Sequence, residues 1–309
     1  MSFDQLMQHA KEIREKGAQL AAREDRENQA KNGAVYVPPP FDVFRRMFDF
    51  VDPLLEPYSR LPNPAMYDLP INDLKEAMKK VMIQSAHITK LSDDVDFVDT
   101  KLNHMTTDAG YLDGWTGHAA MAFKREFLDT FQTIAGNQFT ALSILRGVLQ
   151  AHRAMWEEAR KNIDAIAENT IHILDNANDC WSSNRAGFTF TVLSAVGTVG
   201  SAGITIATAG ATGPAAAIGA AATVGNAIKA AKDADISGAS VAAIVSSLKQ
   251  AVKDLDDHIK EVENDIVEHV RKLSEALHGN ADKLVSARPA LADMSDSDLI
   301  GDRGMGTKD

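Results

Sequence analysis

Between residues 118 and 178 apolar side chains recur at intervals of three and four. Phe123, Phe127, Phe131, Ile134, Leu142, Leu145, Leu149, Trp156, Ile163 and Ile166 follow this spacing, with Gln138 and His152 in the same register. Side chains so spaced share one face of an α-helix. At about 1.5 Å per residue that helix would be roughly 90 Å long, too long for a compact globule, so the spacing predicts a rod-like molecule. Two further stripes have the same character. One follows Leu74, Met78, Val81, Ser85, Ile88, Leu91, Val95, Val98 and Leu102, in a helix expected over about 72–105 with Asn72 as its N-cap. The other follows Leu248, Val252, Leu255, Ile259, Val262, Ile266, Val270, Leu273 and Leu277, in a helix over about 239–278 that Gly279 would stop.

The remainder of the chain is arranged around these helices. Phe3, Leu6, Ala10, Ile13, Gly17 and Leu20 line one face of an amphipathic helix within 1–35. Pro38, Pro39 and Pro40 end it, because proline lacks the backbone donor that helix propagation requires. Residues 36–71 then form a proline-rich connection. It holds one short helix over 41–52, on which Phe41, Phe44, Phe48 and Val51 share a face, before Pro53, Pro57, Pro62 and Pro64 break the path. Residues 72–180 hold a helical hairpin, 186–232 an uncharged hydrophobic hairpin and 239–280 the last long helix. Residues 285–309 form an acidic tail without periodicity, expected to be disordered. The fold class expected is all-α: an elongated antiparallel bundle of long helices, with a helical hairpin at its centre and an apolar Gly/Ala-rich hairpin beside it.

Composition narrows the function. A net charge of −11 argues against a nucleic-acid partner and against charge-driven binding to anionic lipid. The single cysteine, Cys180, excludes an intrachain disulfide, so packing must hold the fold. The opening MSFDQLMQHAKEIREKG has no apolar core of the kind a Sec signal needs, which implies another route for any export. The sequence offers no pattern for a catalytic, cofactor-binding or metal site. His258 and His269 stand about three turns apart on one helix, too far for one ion, and read as solvated polar positions. Asp93, Asp94, Asp96 and Asp99 lack the glycine and the terminal glutamate of a calcium loop. Gly197, Gly200 and Gly203 lack the Lys-Ser/Thr ending of a phosphate loop. Cys180 has no neighbouring base and reads as a packing residue.

Two segments carry the functional expectation. The first is Tyr111-Leu112-Asp113-Gly114-Trp115-Thr116-Gly117-His118-Ala119-Ala120, between two heptad-patterned helices. Gly114 and Gly117 would give the backbone freedom a tight corner requires. Trp115 would plug the open end of the seam, and Ala119 and Ala120 would allow close helix approach. The Trp115-Thr116-Gly117 triplet in this setting resembles the WXG proteins secreted by bacterial type VII (ESX) systems. The longer run from Asp113 to Ala120 is similar to larger ESX-associated proteins of actinobacteria, in which a hydrophobic region also follows the hairpin. The resemblance covers roughly 72–180, and 186–232 in composition and order only. It implies a non-enzymatic secretion substrate or secretion-associated protein that is secreted or held at the cell envelope by a non-Sec route. A helical protein or a second copy of the chain would cover its apolar stripes. Family substrates or their partners often carry Tyr-x-x-x-Asp/Glu, and none of Tyr36, Tyr58, Tyr67 and Tyr111 has an acidic residue four positions on. Either a partner supplies that signal or the chain stays in the cytoplasm.

The second is the uncharged run 186–228, with Lys229 restoring charge. A bilayer core about 30 Å thick takes about 20 apolar residues of helix. A break at 210–214 leaves two stretches, near 187–209 and 214–231, with Lys229 able to snorkel. Phe188, Phe190, Val192, Leu193, Val196, Val199, Ile204, Ile206, Pro214, Ile218, Val224 and Ile228 are the candidate membrane-inserting residues, with membrane lipid as the matching partner. Gly, Ala and Thr dominate the run, which leaves three readings open: a hairpin buried in a bundle, conditional insertion, or a permanent span. The plan also resembles soluble helical pore-forming proteins, so a pore-forming toxin inserting 187–231 stands as an alternative, and a cytosolic helical scaffold as another.

Overall fold

A computed structural model of the chain describes residues 3–31, 37–82, 114–179, 186–190, 232–236, 240–286, 288 and 293–299. These residues are predominantly helical. The helices are α1 (Phe3–Lys31), α2 (Phe41–Arg46), α3 (Val51–Leu55), α4 (Asp68–Val81), α5 (His118–Phe123), α6 (Asp129–Asp179), α7 (Val241–Gly279) and α8 (Asp296–Leu299). Two 3-10 turns, Glu56–Arg60 and Pro64–Tyr67, lie between α3 and α4. The chain divides into two compact units. One comprises α1 to α3, α6 from His152 onward and α7 as far as Asn264; the other comprises α4, α5, α6 up to Ala151 and α7 from Asp265. Among the described residues no helix is long and apolar enough to cross a membrane.

Not every described segment is helical. Ala186–Phe190 (β1) pairs antiparallel with Lys232–Ile236 (β2), in a register that sets Ala186 against Ile236 and Phe190 against Lys232. This ribbon corrects the expectation of a helix from residue 187, and it places Phe188 and Phe190 on a strand. The local sequence Phe188-Thr189-Phe190-Thr191-Val192 alternates aromatic or β-branched residues, which suit extended backbone better than the Ala-rich run beyond. Within the expected tail, Asp296–Leu299 forms a helical turn opened by Ser295, whose Oγ lies 2.5 Å from Asp298 Oδ2.

In the first unit α1 buries Leu6, Ala10, Ile13, Ala18, Leu20 and Ala21, as its periodicity required. The connection after it turns back on α1. Residues 41–55 form two helices, with turns at 47–50 between them. Phe44, Phe48, Val51 and Leu55 are buried while Phe41 stays at the surface, its ring under the Arg45 guanidinium at 5.2 Å. Gly17 is what permits the approach. A Cβ built on it would stand 2.3 Å from the ring of Phe48, itself only 1% exposed. Ion pairs border this contact: Arg14 donates to Asp49 and Asp52, and Arg45 pairs with Glu15.

Polar ties join α1 and the connection to α6 and α7 within the same unit. Lys16 donates to Asp175, Arg23 to the Ala177 carbonyl, and Arg160 to the Leu61 carbonyl. The Val241 N–H at the start of α7 donates to Glu24 Oε1 at 2.8 Å, which satisfies one of the four free donors at that helix end. Tyr58 is buried and lies 2.5 Å from Asp256 through its hydroxyl, with the Val252 carbonyl also in reach. Burial, reinforced by the Asp256 carboxylate, holds the Tyr58 phenol protonated. Lys249 Nζ sits 4.1 Å over the Phe50 ring.

The second unit is built on α4, α6 and α7. The helix α4 starts at Asp68, four residues before the Asn72 expected as its cap. Pro70 falls in its first turn, where a missing N–H does no harm. It closes at Val81 with Met82 in extended backbone, and 83–113, the remainder of the expected 72–105 helix and the start of the corner, lie outside the described residues. Met78, Met82 and Phe139 form one buried cluster with Val81 and Leu142 against it; Ile144 and Leu273 form a second, with Ala141, Leu145 and Leu277. Asn137 and Gln138 donate to the carbonyls of Lys283 and Leu284 and tie down the chain that leaves α7.

The buried face of α6 is broader than its expected stripe. Ile134, Trp156, Ile163 and Ile166 of that stripe are buried, and so are Ala135, Phe139, Ile144, Val148, Ala151, Met155 and Ala159 beside it, whereas Leu142, Leu145, Leu149 and His152 lie on the flank. Residues Lys124–Leu128 form a π turn, which inserts extra chain and displaces any register counted through it. The α7 stripe is buried from Leu248 to Ile266 and again at Leu273, with Val270 40% exposed. His258, expected to be solvated, has only 16% of its side chain exposed, while Nδ1 of the half-buried His269 lies 2.6 Å from the Asp265 carbonyl.

Two stability outcomes follow from the first unit. Gly17→Ala should destabilise the fold by about 1–3 kcal/mol, because an overpacked ring outweighs the gain of about 1 kcal/mol in helix propensity; urea unfolding monitored by circular dichroism reads this directly, and a more stable variant would contradict the packing. The second concerns His152, whose ring lies 5.7 Å from that of Trp156. Burial holds the His152 pKa below its ordinary 6.5, with Glu263 pulling weakly the other way. The folded state therefore binds fewer protons than the unfolded one. This contribution is fully present above pH 6.5 and is lost as pH falls through the folded-state pKa. Unfolding free energies measured from pH 7.5 down to pH 5 should decline less steeply in His152→Gln than in the wild type.

Candidate functional site

The residues expected to form the corner are described from Gly114 onward. Gly114 is exposed in a turn. Trp115 and Thr116 are extended chain leading to Gly117, which precedes the first residue of α5. The Gly117 backbone lies at φ −66° and ψ 160°, a conformation open to any residue, so conformational freedom is not what glycine supplies there. Its carbonyl accepts the Met121 N–H and starts the helix, and Gly117 is itself buried. Ala119 and Ala120 are buried at 4% and 0%, as close helix approach requires.

Trp115 is half-buried, not sealed away as a plug would be. Two contacts fix it. Its carbonyl accepts from Lys124 Nζ at 2.9 Å, and its indole lies 6.1 Å from the Phe123 ring, tilted by 46°. Phe123 stacks on Phe127 at 5.1 Å, and Phe127 meets Phe131 at 6.0 Å. Four half-buried aromatic rings thus run in a ladder from the corner along one face of the helix. The four-residue spacing of Phe123, Phe127 and Phe131 makes neighbours of successive turns, and each ring separation suits offset or edge-to-face contact. The π turn Lys124–Leu128 lies within this ladder. The Thr130 hydroxyl donates to the Glu126 carbonyl at 2.8 Å and lies 3.2 Å from that of Phe127, which satisfies acceptors that a wide turn leaves loose.

Of the candidate membrane-inserting residues, Phe188 and Phe190 lie on β1. Val192, Leu193, Val196, Val199, Ile204, Ile206, Pro214, Ile218, Val224 and Ile228 lie outside the described residues, as does Cys180.

A second constellation was not legible in the sequence. His9 of α1 meets Asp164 and Glu168 of α6, and one ligand atom from each lies within 4.8 Å of the others. Asp164 and Glu168 are four positions apart and share a helix face, which the sequence displays, but nothing in it brings His9 to them across more than 150 positions. Comparison with known protein families, characterised proteins and solved structures finds no match to this chain.

Because the Trp115 ring keeps solvent contact, Trp115→Ala should cost about 1–2 kcal/mol, not the ~3–5 kcal/mol of a fully buried ring. Thermal unfolding measures the loss, and Trp115→Phe should recover a good part of it by restoring a ring beside Phe123.

Proposed function

We propose that the chain is a non-enzymatic, type VII (ESX) secretion substrate or secretion-associated protein that works by docking a helical partner. The reading rests on the sequence resemblance of the Trp115-Thr116-Gly117 corner to the WXG family, and one structural observation supports it most: the aromatic ladder Trp115, Phe123, Phe127, Phe131. Phe123, Phe127 and Phe131 lie on the helical stretch that begins directly after Gly117, Trp115 lies just before it, and all four rings stay half-buried. A half-exposed run of aromatics at helical spacing is the chemistry an amphipathic partner helix uses, since large rigid rings bury much area for little lost rotamer freedom. The acidic net charge is compatible with a protein partner and unfavourable for nucleic acid.

Expression of the full chain in a bacterium with a functional type VII system tests the proposal. The wild-type chain should reach the medium or the cell envelope, should fail to do so when the secretion ATPase is deleted, and Trp115→Ala should reduce export at least ten-fold while cytosolic protein persists. Equal distribution with and without the ATPase would sink the secretion reading.

A further inference from the structure

We infer that His9, Asp164 and Glu168 form a divalent transition-metal site, for which Zn2+ is the fitting ion, that staples α1 to α6. Four observations carry this. The residue types supply one imidazole nitrogen and two carboxylate oxygens, a ligand set suited to a borderline ion and wrong for calcium or magnesium, which prefer six or more oxygens. Next, His9 Nδ1 and Asp164 Oδ1 are 3.3 Å apart. Two ligand atoms each about 2.1 Å from a tetrahedral zinc are separated by roughly 3.4 Å, so this pair already has the spacing of neighbouring ligands. Thirdly, both atoms are buried, and neither has a hydrogen-bond partner. The two atoms lie at ion-pair distance yet form no hydrogen bond, so both buried atoms lack one, an arrangement that a cation between them would relieve. Finally, Glu168 is exposed, and its side chain can swing to complete the set from the solvent side.

The charge balances as well. Two carboxylates and a neutral imidazole match a dication, whereas without one Asp164 and Glu168 repel each other on the same helix face. Three protein ligands leave a tetrahedral ion one open position for water or a partner's side chain. Because the ligands come from helices far apart in sequence, the ion would act as a cross-link in a chain that has no second cysteine to make one.

The test uses the full chain after treatment with EDTA. Titration with Zn2+ by calorimetry should give one ion per chain, and Co2+ in its place should give visible ligand-field bands of a four- or five-coordinate site. His9→Gln and Asp164→Asn should each weaken binding at least a hundred-fold, and Glu168→Gln at least ten-fold, with unchanged helicity. Zn2+ should raise the Tm of the wild type and leave that of His9→Gln unmoved. Since Glu168 is exposed, its variant is expected to fold, and it decides the matter if the other two do not. Zn2+ affinity equal to wild type in Glu168→Gln and His9→Gln would assign the ion to other histidines and overturn the proposal, as would no binding at 100-fold excess of Zn2+ over micromolar protein.

Discussion

The architecture depends on α6 being one unbroken helix from Asp129 to Asp179. Its first part supplies Ile134, Ala135, Phe139, Ile144 and Val148 to the core of one unit. Its second part supplies Met155, Ala159, Ile163, Ile166 and Leu174 to the core of the other. With a single cysteine in the chain, no covalent cross-link shares this role. Apolar burial is the dominant favourable term, and along α6 it is concentrated on a face wide enough to serve several elements in each unit. A single polar or kinked position on that face would therefore damage more than one contact.

The helices that were legible in the sequence are those whose signal is long and one-sided. In α1 and α7 the buried positions follow the apolar stripe almost residue for residue, from Leu6 to Leu20 and from Leu248 to Ile266. Errors arose where a local device overrides the period. Along α6 the stripe finds Ile134, Trp156, Ile163 and Ile166, but the buried face is wider than one stripe, so Phe139 and Met155 are core positions outside it while Leu149 lies on the flank. The start of α4 lies four residues before the expected cap Asn72, because Pro70 fits the first turn of a helix, where its missing N–H does no harm. The ribbon was missed because five-residue strands carry too little pattern to compete with an adjoining Ala-rich run. Gly17 was correctly placed on the buried face, but only the approach of Phe48 explains why that residue has no side chain.

The two candidate sites differ in how sequence could reveal them. The aromatic ladder is local: Trp115, Phe123, Phe127 and Phe131 lie within two dozen positions, and their helical spacing announces that they are neighbours. What the sequence overstated was the burial of the indole. The His9, Asp164 and Glu168 cluster is non-local, and only the packing of α1 on α6 creates it. A single histidine on an amphipathic helix carries no information about what stands opposite. The same packing places Lys16 on Asp175 and Arg23 on the Ala177 carbonyl, so polar groups join α1 to α6 at further points along both helices.

The β1–β2 ribbon has a topological consequence. Phe190 and Lys232 are register partners, so the run between them begins and ends at adjacent points. Whatever path the intervening residues take, departure and return lie on the same side of any surface they meet. If that surface were a lipid sheet, the number of traverses would have to be even. A lone passage that strands one terminus on the far side would require the ribbon to unzip first.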